Sequence, residues 1–375
     1  MAPHRGLPAL PALRARACAS GRRSAAHPRA LSSSALHSRI SYITESFFTP
    51  AHRVTVSVPA TISNLGPGFD CFGFAIDVEN RVIVERADSF SIEIFGESAS
   101  LPQNEENVIV RMTAKAMHTL GMEMPPLRFE CHNAVPPRKG FGSSSAAVVA
   151  GLATGLAFGG KDLELPSTKQ LLLQLAAEQE GQADNIAPAI FGGFQISCRN
   201  ERQWISQRVF IPSGLQLCLF IPDDEILSAE ARSVLPKTTS YPDAIFNISR
   251  AAMLVNCFAT SQFDPLRFAM EDRLHQRYRT HMFPFEPLID AAVKAGAHAA
   301  FLAGAGPSVV AICGGVGISD PGSDTMSQFL AESVSQAFLE AARGIGIPGG
   351  VHIAMPSQRG LSSSGVDANK NVLWP

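Results

Sequence analysis

The sequence predicts an α+β protein of two domains dividing near residue 210, and three observations carry that expectation. The chain has 375 residues, 46% of them hydrophobic, enough for two cores of ordinary domain size. From Val54 apolar residues alternate with polar ones, as in a half-buried strand. Beyond residue 210 the patterns run strand, helix, strand, strand, helix, strand with one extra helix, the order of a ferredoxin-like split unit.

Taken in order, Val54, Val56 and Val58 in "RVTVSVPA" open the first strand. "NRVIVER" and "FSIEIF", separated by "ADS", are expected to pair as a hairpin. Residues 106–120 put Ile109, Met112, Ala116 and Leu120 on one helical face. "LRFEC" is a strand, 167–180 a helix and "AIFGGFQIS" a strand. In the second half "LQLCLFI" is a strand, and 224–234, 243–260 and 286–296 are helical. "AAFLAG" and "SVVAIC" pair around "GAGP", then a helix over 325–343 leads to the strand "VHIAM". No internal repeat or coiled-coil heptad is visible.

Charge and cysteine usage narrow the function. Residues 1–48 hold seven Arg, no Lys and the single acid Glu45, which leaves the rest of the chain near −8. So acidic a body argues against nucleic acid or an anionic membrane as partner. Seven scattered cysteines without a CxxC pair point to neither a disulfide framework nor a zinc site, but to core filling in a reducing compartment. Residues 1–52 form a leader rich in Arg, Ala and Ser, either an organelle transit peptide or an over-extended start on a cytoplasmic protein. A plastid stroma is the destination in the first case. Two long uncharged stretches, 140–160 and 295–319, are broken by glycines and by Pro307, so neither reads as a membrane span. The Gly151, Gly155, Gly159 spacing suits close packing of a buried helix against a sheet.

The first of those stretches, "PPRKGFGSSSAAVVAGLATGLAFGG" over 136–160, carries the chemistry. It lacks the G-x-S-x-G of a nucleophile elbow and the GxxxxGK[ST] of a Walker A loop. What it offers is flexible backbone and hydroxyls directly before a helix. Glycines let N–H groups approach an anion, and a helix start adds partial positive charge. By itself the stretch fits either a phosphate cradle or a serine-capped turn.

Three further segments decide between these. "VPATISNLGPGFDCFGFAID", "PPRKGFGSSSAA", "EGQADNIAPAIFGG" and "FLAGAGPSVVAIC" occur in that order and together resemble the GHMP small-molecule kinases, nearest to the branch that phosphorylates homoserine. The resemblance runs from about residue 53 to 355 and is joined by "SAEARSVLPKT" and "EDRLHQRYR". It implies a ribosomal-protein-S5-like N-terminal domain over 53–209 and a ferredoxin-like C-terminal domain over 210–375, with the active site between them. It also implies ATP and Mg²⁺, L-homoserine as acceptor, and a homodimer.

Residue by residue, Pro136, Pro137, Arg138, Lys139, Gly140, Phe141, Gly142, Ser143, Ser144 and Ser145 match the nucleotide loop, and Gly304 and Gly306 a phosphate-side turn. Ser144 is expected on the metal, with Glu178 as its carboxylate and Glu180 as the rival. Asn64, Asp70 and Gln182 fall on the amino-acid side. Arg232 and Arg279 match the two arginines for the substrate carboxylate, which guanidinium clamps best. Asp184 and Asn185 are the catalytic pair, Asp184 being either a base or a positioning group. Two departures stand out: Gln182 occupies the usual place of a His, and Arg277 that of a Pro. Another GHMP kinase acting on mevalonate or shikimate, and an inactive metabolite-binding relative, are the competing readings.

Overall fold

The computed structural model describes residues 51–97, 101–315 and 324–374. They form two sheets. The larger has eight strands in the order β12-β11-β1-β2-β4-β3, with β5 and β6 branching from β2. Its strands are β1 (Arg53–Ser63), β2 (Phe72–Arg86), β3 (Ser91–Gly96), β4 (Leu127–Asn133), β5 (Phe194–Arg199), β6 (Trp204–Val209), β11 (Ser362–Val366) and β12 (Val372–Trp374). The smaller sheet orders its four strands β10-β7-β9-β8, all antiparallel. These are β7 (Leu215–Pro222), β8 (Ala299–Leu302), β9 (Val309–Gly314) and β10 (Gly349–Ala354). That order is the split β-α-β arrangement expected after residue 210.

On the larger sheet lie α1 (Val108–Thr119), α2 (Ser143–Phe158), α3 (Pro166–Glu180) and α4 (Ile186–Phe191). The second half contributes α5 (Ser228–Ser233), α6 (Tyr241–Thr260), α7 (Leu266–Ala269), α8 (Glu286–Lys294) and α9 (Asp324–Gly344). Asn107 caps α1, its side chain accepting from Ile109 N at 2.9 Å. The glycines of α2 face α1, not the sheet. A Cβ on Gly151 would lie 2.5 Å from the Ile109 carbonyl oxygen, and one on Gly155 2.4 Å from that of Thr113. The two helices therefore touch backbone to backbone.

Several expectations need correction. β2 and β3 do not form a hairpin; β4 lies between them, antiparallel to β2 and parallel to β3. β4 buries Leu127, Phe129 and Cys131 completely, whereas β3 exposes Glu93 and Phe95, so β4 takes the interior position and β3 the edge. The strand expected from Ala189 begins at Phe194. Before it, α4 ends at a Gly192–Gly193 turn in which both φ angles are positive. The helix expected over 224–234 shortens to α5. Strands β6, β11 and β12 had no counterpart in the sequence reading. The last two follow the whole second sheet yet join the first, β11 pairing with β1 and β12 with β11.

The leader reading falls outside the described residues except at Ala51 and His52, which belong to the fold. Ala51 is fully buried, and His52 N donates to Val366 O at 2.8 Å. Four of the six described cysteines are buried, while Cys71 and Cys198 are exposed. Among the described residues no helix is long and apolar enough to cross a membrane.

Candidate active site

The glycine-rich loop owes its shape to what touches it. Thr61, just past an irregularity in the β1–β2 register, donates its N–H to Phe141 O at 3.1 Å. Gly140 has φ +88° and Gly142 φ +66°, both in the left-handed region. A Cβ would lie 2.2 Å from Ala303 O in the first case and 2.0 Å from Thr61 Oγ1 in the second. Helix α2 starts immediately afterwards with no side-chain cap. Its first turn presents N–H groups that have no intrahelical acceptor, at the positive end of the helix dipole.

This turn opens into a cleft of ≈740 Å³ between the two halves of the molecule. Arg138, Gly140, Phe141, Gly142, Ser143, Ser144 and Ser145 line one wall. Asn64, Asp70, Gln182, Asn185, Arg232, Arg279, Gly304 and Gly306 line the rest. A second cavity, between β1 and β11, contains none of the expected residues.

Five expected residues do not line the cleft: Pro136, Pro137, Lys139, Glu178 and Asp184. The prolines lead into the loop. Lys139 turns away and donates to the carbonyls of Pro222 (2.9 Å), Asp223 (2.6 Å) and Asp224 (2.8 Å). Arg138 pairs with Glu225 at 3.1 Å. The two basic residues thus tie the loop to the end of β7. Glu178 is exposed on α3. Its rival Glu180 accepts from Ser145 Oγ at 2.7 Å and from Ser144 Oγ at 3.2 Å. Two residues turn a helix by about 200°, so only one of these glutamates can face the loop. Gly181, left-handed at φ +77°, ends the helix just after Glu180.

The opposite wall is made of side chains. Asn64 and Asp70 both adopt left-handed backbone, and the turn between them is closed by Asp70 N donating to Asn64 Oδ1 at 2.9 Å. Asn64 Nδ2 donates to Gly304 O at 3.0 Å, linking the first motif to the last. Arg232 makes a two-pronged pair with Asp70, at 2.8 and 3.0 Å, and also donates to Gln182 Oε1. Arg279 is nearly buried, at 3% exposure, and its direct partners are all uncharged. Nε donates to Ala231 O at 3.1 Å; Nη1 donates to Gly304 O at 3.1 Å and to His275 Nδ1 at 2.9 Å. Burial, and next the neighbouring Arg232, pull its pKa down to about 10, so it stays cationic at neutral pH. Arg277 points elsewhere, to Asp243 at 2.8 Å.

Asp184 and Asn185 divide their tasks. Asn185 reaches the cleft, with its amide fixed by Thr61 Oγ1 donating to Oδ1 at 2.8 Å and by Nδ2 donating to Ser63 Oγ at 3.0 Å. Asp184 is fully buried behind it. One carboxylate oxygen accepts from Asn185 N at 3.0 Å, while Oδ2 has no hydrogen-bond partner. Desolvation, and then the charge of Asp70, push its pKa up to about 7. Gly73 permits this arrangement, since a Cβ there would lie 1.6 Å from Asp184 O. The sequence reading missed Thr61 and Ser63. Their i, i+2 spacing at the end of β1 puts both hydroxyls on one face, which is the signal that was present.

Comparison with known proteins gives the family. Residues 107–193 match the family model described as GHMP kinases N terminal domain, and 257–334 that described as GHMP kinases C terminal. The chain is 34% identical to a homoserine kinase of Desulfitobacterium hafniense over 311 residues, covering 82% of this chain and 99% of that one. It is 39% identical to the homoserine kinase of Moorella thermoacetica over 263 residues, covering 69% and 87% of the two. The crystal structure of homoserine kinase from Cytophaga hutchinsonii superposes with a TM-score of 0.71 at 26% identity, covering 85% of this chain and 99% of that one. The fold is that of the GHMP kinases, and the chain is an ATP-dependent small-molecule kinase of that type. Within that class the chain belongs to the homoserine kinase family, whose members phosphorylate L-homoserine on the path to threonine.

Proposed function

We propose that the two walls divide the substrates between them: ATP phosphates against the first turn of α2, and homoserine against the turn 64–70 with Arg232 and Arg279. The observation that carries this is the uncapped, glycine-started α2 facing two arginines across one cleft. Backbone N–H groups suit phosphate oxygens, guanidinium suits the substrate carboxylate, and Asp70 suits the ammonium group. Asp70 is held by Arg232 in the free protein, so homoserine exchanges that pair for its own two charges.

Glu180 with the hydroxyls of Ser144 and Ser145 forms an all-oxygen donor set beside the helix start. That set fits magnesium, which takes one or two carboxylates and completes its shell with phosphate and water. Bound there, magnesium would neutralise charge on the phosphates. The protein's own part is positioning. Asn185, locked by Thr61 and Ser63, faces the acceptor hydroxyl, and Asp184 braces Asn185 from behind. The hydroxyl oxygen attacks the γ-phosphorus while the bond to the β,γ-bridging oxygen breaks and ADP leaves; the hydroxyl proton passes to an oxygen of the transferred phosphoryl group. Alignment and charge dominate such a reaction. Asp184 is thus a positioning residue.

The bacterial relatives favour a cytoplasmic enzyme. A panel of alcohols offered with ATP (homoserine, threonine, mevalonate, shikimate) tests the substrate reading. Phosphorylation of homoserine should exceed that of each other alcohol, and a preference for mevalonate or shikimate would overturn it.

A further inference from the structure

His275 is fully buried beside Arg279, and its two ring nitrogens have unlike neighbours. Nε2 lies 2.7 Å from Gly66 O, and Nδ1 lies 2.9 Å from Arg279 Nη1. A carbonyl can only accept and a guanidinium can only donate, so the ring is neutral with its hydrogen on Nε2. The ring stacks on Phe69 at 5.1 Å, and Phe69 also lies 5.4 Å from the Arg232 guanidinium carbon and 5.6 Å from that of Arg279. The nearest carboxylate, Asp272, stands 3.6 Å from Nε2 and is occupied by the backbone N–H groups of His275 and Gln276. Burial and the Arg279 charge disfavour an imidazolium here, against the opposing pull of Asp272.

We propose that His275 is a positioning residue for substrate recognition, its Nδ1 lone pair aiming the Arg279 guanidinium into the cleft without neutralising it. The proposal rests on the reading of Arg279 as an arginine for the homoserine carboxylate. The contrast with Arg232 shows what the histidine accomplishes. Arg232 is steered by Asp70, a carboxylate that competes with the substrate for the same charge. Arg279 is steered by an imidazole and two carbonyls, so its full positive charge remains for an incoming anion.

Two substitutions separate the two nitrogens. In His275→Asn the side-chain oxygen replaces Nδ1 and keeps the acceptor for Arg279; in His275→Gln the amide reaches the Nε2 position and keeps the donor for Gly66. Steady-state kinetics with both substrates should show the KM for homoserine rising roughly tenfold or more in His275→Gln, with the KM for ATP nearly unmoved. His275→Asn should recover most of that loss. Equal homoserine KM values in the two variants, or parallel losses for ATP and homoserine, would refute the proposal. Arg279→Ala runs alongside. If it leaves the homoserine KM unchanged, the carboxylate reading has failed and the role of His275 falls with it. If it raises that KM while His275→Gln does not, only the proposal for His275 has failed. Nitrogen-15 histidine NMR of the unsubstituted enzyme gives a measurement independent of variant folding. It should report a neutral Nε2–H ring at neutral pH, and an Nδ1–H ring or an imidazolium would be decisive against the proposal.

Discussion

The wall of the cleft built on the glycine loop and the wall facing it are made from different materials. The first offers backbone N–H groups at the start of α2, and it works only because Gly140 and Gly142 carry no Cβ. The second offers Asn64, Asp70, Arg232 and Arg279, each fixed by a hydrogen bond or ion pair to a named partner. Backbone recognition suits a ligand whose charge is large and whose oxygens are alike. Side chains suit a small zwitterion whose two charges must be told apart. The first wall should therefore fail when an atom is added, and the second when one is removed.

The largest effect should come from adding a single carbon to the loop. Gly140→Ala places a Cβ against the backbone of Ala303 at a left-handed position, displacing the loop from the helix start. Misplacement by about 1 Å can cost roughly 10²-fold, so kcat/KM for ATP should fall by at least that much. A variant with normal ATP kinetics would break the contrast between the walls. Next in size is Arg279→Ala, which removes a charge-assisted bond to the substrate. The KM for homoserine should rise roughly 10- to 150-fold, equivalent to about 1.5–3 kcal/mol, with little change for ATP. Arg232→Ala should give a smaller rise, since Asp70 is freed for the ammonium group in the same change.

Asp184, behind the boundary between the walls, should show a smaller kinetic effect. As a positioning group, Asp184→Asn should lower kcat less than about tenfold and leave the form of the pH–rate profile intact; a base would cost about 10²–10⁴-fold. Its effect on stability has a definite sign. The folded-state pKa is raised from 3.8 to about 7, so the folded protein binds this proton more tightly than the unfolded chain. Stability from this group therefore declines as pH rises across that window and stays low above it. Thermal melts should show Asp184→Asn gaining on the unsubstituted protein at pH 8 relative to pH 5. An equal difference at both would remove the titration argument. The smallest effect should come from removing residues 1–50. A chain beginning at Ala51 should match the full-length enzyme in activity and melting temperature. One beginning at Arg53 should melt slightly lower, because the buried Ala51 and the His52–Val366 bond are lost.

Much of this was legible before any coordinates. The Gly-Ser loop before a small-residue helix and the order of strands after residue 210 were readable from local pattern, and the two arginines from the family resemblance. What failed depended on partners distant in the chain. Lys139 looks like a phosphate ligand because nothing near it in sequence reveals the three carbonyls at 222–224 that it binds. Glu178 reads as the metal carboxylate and Glu180 as its rival until the hydroxyls of Ser144 and Ser145 show that Glu180 is the one facing the loop. β2 and β3 read as a hairpin because a short link favours one, yet pairing was decided by β4, which buries the better apolar face. His275 was visible only as one letter of a motif; its meaning lies in the tautomer imposed by Gly66 and Arg279.

The return of β11 to β1 has a consequence for how the enzyme is made. Residues 53–57 pair on one side with 362–366, near the far end of the chain. On a ribosome adding roughly 5–20 residues per second, about 300 residues separate the two partners, so β1 waits on the order of 15–60 s with one edge open. The first half can collapse on β2 and its helices in that interval, but its sheet is finished only once β11 and β12 have been made. A protein lacking β11 and β12 would keep every residue of the cleft and still expose that edge, inviting pairing between nascent chains.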